Sequence, residues 1–338
     1  MPKIDKYHSL LIHYIFHANT INYTIINNLI SNNPNLLSIR DRFGNNALQL
    51  YLLNNGNDKY IISLLSYGNS IENINNDNMN GLMIYIMGDN FNTYIINILV
   101  NERVLRHNNN DGDTSLLLYL NNINVEQFDN AIIKLLCDSS IINHKNCDGY
   151  NALLLYIIHS KHYDISIIKM LVTSDTIDVH NISINNEYEF NINFININAA
   201  LIYILFTCEY NYNIMTLLMT YKLTLHKYLT IQNKNILMIY ITYAKTYDIN
   251  IIKLLSNKIS ISQIDNAGKN ALMYYIEISN VIDLQILKLL INNLAILQKD
   301  KYNNTALTIY KNKYMITNSD IINILRCNII TAHNTLHQ

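Results

Sequence analysis

Apolar residues along this chain are gathered into short blocks that return at a nearly fixed interval, and the blocks come in two kinds. The first kind is apolar almost all round, as in Leu116-Leu117-Leu118-Tyr119-Leu120, the mark of a helix buried on every side. The second carries an apolar pair and then a leucine-type pair, as in Ile132-Ile133 with Leu135-Leu136, which lays one stripe along an amphipathic helix. Each period therefore predicts a turn, a helix, a short loop and a second helix. About ten mostly polar residues then lead into the next turn.

One tyrosine fixes the register. It stands at Tyr14, Tyr51, Tyr85, Tyr119, Tyr156, Tyr203, Tyr240, Tyr275 and Tyr310, at separations of 37, 34, 34, 37, 47, 37, 35 and 35 residues, and a period near 35 signals stacked repeats. Five residues earlier stand Ser9, Asn46, Asn80, Thr114, Asn151, Asn198, Asn235, Asn270 and Thr305. Their side chains accept from the free amides of a starting helix, so this column predicts N-caps. Seven residues earlier stand Gly44, Asn78, Gly112, Gly149, Asn196, Asn233, Gly268 and Asn303, the residues that best tolerate positive φ, which predicts a sharp turn before each helix. Three residues earlier comes a leucine in eight of the nine repeats, with Ala200 as the exception, on the same helical face as the tyrosine. That face is the expected core.

The order Asp/Asn, two residues, Gly/Asn, one residue, Thr/Asn, a small residue and Leu resembles the ankyrin repeat over almost the whole chain. The family's Thr-Pro-Leu-His-x-Ala corresponds to Thr114-Ser115-Leu116-Leu117-Leu118-Tyr119 and Asn151-Ala152-Leu153-Leu154-Leu155-Tyr156. The resemblance implies an all-α ankyrin-repeat solenoid of about nine helix-turn-helix repeats with short hairpin-like turns. Two departures stand out. The family's histidine is replaced by Gln49, Met83, Leu117, Leu154, Leu201, Met238, Met273 or Thr308, so its hydrogen bonds to neighbouring turns are not to be assumed. Its alanine has become tyrosine, and the gap to the second helix is long. With both changes the chain is similar to the ankyrin-repeat proteins of poxviruses.

Composition narrows the function classes. Half of the 338 residues are hydrophobic and only 14% are charged, with asparagine filling the balance, a bias of the kind an AT-rich genome encodes. A net charge of −1 and the lack of basic runs argue against nucleic acid and anionic membrane as partners. No apolar segment reaches the ~18 residues of a membrane span, and Leu10-Leu11-Ile12 is interrupted by His13 and His17, unlike a signal peptide. The chain reads as cytoplasmic, in the host cell if viral, and monomeric. Cys137, Cys147, Cys208 and Cys327 have no C-x-x-C spacing, as expected of reduced packing residues.

Residues 1–37 read as an N-terminal capping repeat, since Tyr14 and Ile25-Ile26 are kept while the Gly/Asn position is Tyr7. Residues 38–325 read as the repeats, with an insertion at about 173–196, and 326–338 as a short C-terminal tail. That tail is too short for the F-box-like module of many poxvirus ankyrin proteins, which demotes direct ligase recruitment. Within the insertion Ile182, Ile184, Tyr188, Phe190, Ile192 and Phe194 alternate with other residues around Asn185-Asn186, as paired strands about a turn do. The two readings are a projecting finger with its aromatics on one face, and a tolerated loop insertion.

Catalytic and cofactor chemistry has no anchor. His13 and His17, and His159 and His162, are spaced to share a metal, but neither pair has a third ligand at informative spacing. Phosphate-binding glycine loops and nucleophile elbows are absent from the sequence. The expectation is therefore no cofactor and no enzyme, with a metal- or ligand-dependent enzyme resting on the histidine pairs alone.

Nine identical tyrosines suit packing, whereas recognition should use positions that vary between repeats. Those lie in and beside the turns: Arg40, Arg42 and Phe43; Arg103, Arg106 and His107; His144, Lys145 and Tyr150; Lys299, Lys301 and Tyr302. Tyr188 and Phe190 of the insertion join them. Arginine and aromatic side chains dominate binding energy at interfaces. The expected function is a non-enzymatic protein-protein interaction module, a viral host-range or immune-evasion factor that binds and sequesters a host protein. The alternative is a substrate adaptor that delivers a host target to a ubiquitin ligase or another partner in trans.

Overall fold

The structure, a computed structural model, describes residues 10–88, 91–122, 127–185, 191–207, 209–220, 232–315 and 318–326; for 178–185 and 191–197 it gives the backbone alone. Two compact units divide the chain, Met1–Leu171 and Val172–Gln338. Both are helical, and the described residues form one further element, a two-stranded sheet in the second unit.

In the first unit the all-round apolar blocks are the helices Leu10–His17, Ala47–Leu53, Gly81–Ile86, Ser115–Leu120 and Ala152–His159, each packed on the next. The one-stripe blocks are Tyr23–Asn32, Lys59–Leu65, Thr93–Leu99, Asn130–Leu136 and Ile165–Leu171, stacked in the same order as a second row. The second unit repeats the plan. Ala199–Phe206, Ile236–Tyr243, Ala271–Ile278 and Ala306–Lys313 form its first row, and Tyr212–Leu218, Ile249–Leu255 and Leu284–Leu289 its second.

These helices begin where the sequence places them because the capping side chains are present. Asn80 accepts from the Met83 nitrogen, Asn198 from Leu201, Asn235 from Met238 and Asn270 from Met273, at 2.8 to 2.9 Å. The free amide group of the capping asparagine then ties the helix start to the end of its own repeat. Asn46, Asn235 and Asn270 donate to the carbonyls of Ser70, Ser260 and Ala295 at 2.7 Å.

The tyrosine column does more than fill space. Tyr51, Tyr119, Tyr156, Tyr203, Tyr240, Tyr275 and Tyr310 are buried, and each hydroxyl that packing carries to the core edge finds a backbone donor. Tyr119 accepts from the Asp129 nitrogen at 3.0 Å, Tyr156 from Asp164 at 2.7 Å, Tyr240 from Asp248 at 3.0 Å and Tyr275 from Asp283 at 2.8 Å. The same bond joins Tyr14 to Asn22, Tyr51 to Asp58, Tyr85 to Asn92, Tyr203 to Asn211 and Tyr310 to Asn318. The donor residue also caps the second helix: Asp129 Oδ1 accepts from the Ala131 nitrogen at 2.7 Å and Asp248 Oδ1 from Asn250 at 2.7 Å. An aspartate or asparagine thus stands at the start of each second helix, fastened to the first helix by a phenol.

Three features differ from the sequence reading. The polar stretch after the second helix holds a third short helical piece, 3-10 in Pro34–Ser38 and Ser70–Glu72 and α in Glu102–Arg106, Ser174–Ile177, Lys258–Ser262 and Asn293–Leu297. Leu36-Leu37, Val104-Leu105 and Ala295-Ile296 bury these turns against the core, and a pair of apolar residues is too little to reveal a period. Asn196 is not in a turn. It lies in β2 (Asn191–Asn198), which pairs antiparallel with β1 (Asp178–Asn185) and places Asn196 opposite His180.

The hairpin therefore stands in place of purely helical structure, with Ile182 opposite Phe194 and Ile184 opposite Ile192. Its last pair is Asn185 with Asn191, so the connection is 186–190 rather than Asn185-Asn186. Tyr188 and Phe190 fall in that connection, outside the described residues.

Candidate partner-binding surface

The turns are built from the residues that vary least and present those that vary most. In five of them, at Asp41, Asn75, Asn109, Asp265 and Asp300, the side-chain oxygen accepts from two backbone amides ahead of it. Asp41 Oδ1 takes Phe43 and Asn45, and Asp300 Oδ1 takes Tyr302 and Asn304, all within 2.9 Å. The chain then reverses at a positive φ: +79° at Gly44, +60° at Asn78, +79° at Gly112, +74° at Gly268 and +66° at Asn303. Neighbouring turns touch. The Asn76 nitrogen donates to Phe43, Cys147 to Asp111 and Lys301 to Ala267, each at 2.9 Å, and a Cβ on Gly112 would come within 2.9 Å of the Cys147 nitrogen.

With the turn backbone so occupied, the side chains at the tips are left outward. Arg40, Arg42 and Phe43 are exposed, and the Arg42 guanidinium stacks 4.6 Å from the Phe43 ring centre. Lys299, Lys301 and Tyr302 repeat this in the second unit: Tyr302 is 70% exposed and the Lys301 ammonium lies 5.0 Å from its ring. A cation over an exposed aromatic face is held by about 0.5–1 kcal/mol.

The other proposed positions are held more tightly. Arg103 pairs with Glu72 at 3.0 Å; Arg106 pairs with Glu102 at 2.6 Å and donates to the Ser140 hydroxyl. Their exposure makes these ion pairs weak, of the order of 1 kcal/mol or less. His107 and His144 are half-buried and donate through Nε2 to the carbonyls of Asn78, at 2.8 Å, and Gly112, at 2.7 Å. They bind the preceding turn of their own chain. Tyr150 is half-buried, with burial raising its phenol pKa, while Lys145 is exposed.

The two histidines, with Asn73 donating to the Gly44 carbonyl at 3.0 Å, supply lateral bonds between turns. In the first helices Gln49, three residues after the capping Asn46, makes a comparable link by donating to the carbonyls of Asn73 and Met79 at 3.1 and 2.8 Å. Sequence reading missed this role because its sign, a polar residue two before the turn asparagine as at Asn73, His107 and His144, also fits a solvated loop.

Three clefts stand out among the described residues of the first unit. One of about 480 Å³ is lined by Arg40 with Tyr67 and Glu72, and one of about 410 Å³ by Leu53, Tyr85 and Met87. A third, of about 220 Å³, lies between the helix Leu10–His17 and the turn that carries Arg42 and Phe43. His13 and His17 border it with ring centres 4.4 Å apart. His159 is half-buried, and burial lowers its imidazole pKa. Among the described residues no three His, Cys, Asp or Glu side chains are grouped as a metal site requires, and no helix is long and apolar enough to cross a membrane. Comparison with protein-family models and with curated proteins gave no match.

Proposed function

We propose that the chain is a non-enzymatic protein-protein interaction module, an ankyrin-type solenoid of about nine repeats that binds and sequesters a partner protein through its turn tips. One observation carries the reading. Side chains constant from repeat to repeat are spent on packing and internal hydrogen bonds, as Tyr119 and Asn235 are, whereas the variable tips at Arg42-Phe43 and Lys301-Tyr302 stand exposed. Binding proteins of this kind vary their contact side chains on a fixed frame. The viral reading, with a host protein in the cytoplasm as partner, rests on the tyrosine-for-alanine resemblance to poxvirus ankyrin proteins and on the asparagine-rich composition.

The test is affinity capture on the full chain from mammalian cytosol, with mass spectrometry of the retained proteins. The reading expects a specific partner in stoichiometric amount that is lost when both tip pairs are replaced. Ligase subunits retained with that partner would redirect the reading to an adaptor. Catalytic turnover with no retained protein would overturn it.

A further inference from the structure

The third cleft combines an apolar floor with an arginine, Arg42, that makes no ion pair among the described residues. Ile12, Phe16, Phe43 and Leu50 line it, and two of these are left largely in water: Phe16 is 64% and Phe43 51% exposed. Its volume of about 220 Å³ is below the ~300 Å³ at which small-molecule sites begin. That is room for one large side chain rather than a cofactor.

Charge at the rim decides what kind of side chain arrives. Asp41 is the one acidic group lining the cleft, and its carboxylate is turned into its own turn. It accepts from the Phe43 nitrogen at 2.8 Å, the Asn45 nitrogen at 2.8 Å and the Asn45 amide at 3.3 Å. Among the described residues Arg42 makes no ion pair; its guanidinium lies over Phe43. A planar cation presented beside an aromatic ring is suited to a carboxylate, which it binds through two parallel N–H donors.

The apolar surface continues away from the cleft. Phe16, Leu53 and Met87 occupy the same position, two residues after the tyrosine, at the C-terminal ends of three successively stacked helices, and all three are at least half exposed. The next repeat has Asn121 there, so the strip ends at Met87. Successive exposed large apolar side chains on one row mark a surface that something covers.

We propose that this cleft and strip bind an acidic, extended segment of a partner protein. The segment places one large apolar side chain in the cleft and a neighbouring carboxylate on Arg42, and lays further apolar side chains along Leu53 and Met87. This rests on the reading of the chain as an interaction module and names the chemistry of its partner.

The test is selection of random 12-residue peptides displayed on phage against the full chain. The affinity of one selected, synthesised peptide is then measured by fluorescence polarisation. Selected peptides should carry Asp or Glu beside an aromatic or leucine. Affinity should fall about tenfold or more in Arg42→Glu and in Phe16→Ser, the loss expected of an interface anchor. It should be unchanged in Lys134→Glu, an exposed charge on a second-row helix, and weaken with salt. Matching circular dichroism melts establish that each variant is folded.

The inference is overturned if no peptide is enriched, if enriched peptides lack acidic residues, or if Arg42→Glu binds as well as the parent. It is also overturned if the free chain is a dimer that Arg42→Glu separates, since a second copy would then be the occupant. A captured protein partner indifferent to Arg42→Glu defeats this inference alone. Turnover without a partner defeats the function beneath it.

Discussion

The hydroxyl of Tyr119 lies 3.0 Å from the backbone nitrogen of Asp129 and accepts its hydrogen bond. Tyr119 is 1% exposed, so the bond satisfies a donor and an acceptor that water reaches poorly. It also explains why the position is tyrosine rather than phenylalanine or leucine. Tyr119→Phe should keep the packing, orphan the Asp129 amide and cost about 1–3 kcal/mol. Tyr119→Ala should add a cavity and cost about 3–5 kcal/mol. Urea denaturation checks both, and a phenylalanine variant as stable as the parent would leave the hydroxyl without a role.

Asn235 offers a second test of the frame. Its side chain accepts from the Met238 nitrogen and donates to the Ser260 carbonyl, while being fully buried. Asn235→Ala removes an N-cap worth about 1 kcal/mol and leaves a buried carbonyl unpaired at about 1–3 kcal/mol. Asn235→Ser should recover the cap and lose only the second contribution. Equal losses in the two variants would mean that the cap contributes nothing.

Much of this frame was legible in the sequence because its chemistry is local. A side chain that caps a helix, as Asn235 does, or a residue that reverses the chain, as Gly112 does, acts within a few positions and shows as a column. What was not legible depends on a neighbour. His107 and His144 look like loop residues until the carbonyls of Asn78 and Gly112 are seen beside them. The aspartates and asparagines that start the second helices acquire their meaning from the phenol seven to ten residues earlier. The hairpin was visible as alternation, but the alternation continues through Tyr188 and Phe190, so it could not mark where pairing ends. Of the candidate surface, the sequence pointed to Arg42-Phe43 and Lys301-Tyr302. It did not show Phe16, whose exposure depends on which face its helix turns away from the next.

Alkaline pH should weaken the fold through the same tyrosines. Burial pushes the phenols of Tyr240 and Tyr275 up to about 12, with the amides of Asp248 and Asp283 opposing the shift and their carboxylates adding to it. Because the folded pKa is raised above the ordinary value near 10, the unfolded chain loses these protons first. Stability is therefore complete below about pH 10 and falls progressively up to about pH 12. Urea midpoints taken across this range should decline, and the native absorbance at 295 nm should show these phenols ionising late. A flat midpoint from pH 9 to 12 would contradict the burial argument.

At the turns, Gly112→Ala places a Cβ at φ +79° and 2.9 Å from the Cys147 nitrogen, at a cost of about 1–3 kcal/mol for the strained backbone alone. Asn78 holds φ +60° without being glycine, so Asn78→Gly should lose chiefly the amide bond to the Asn108 carbonyl, about 1 kcal/mol. Thermal melts rank the two, and the reverse order would refute the account of the turns.

The central claim is that the turn tips are the binding surface, and hydrogen exchange of the full chain with and without a captured partner tests it most directly. The account predicts that the partner slows exchange in the segments that carry Arg42-Phe43 and Lys301-Tyr302 and leaves the second-row helices Lys59–Leu65 and Ile249–Leu255 unchanged. Protection confined to those second-row helices, with the tips exchanging as fast as in the free chain, would contradict it.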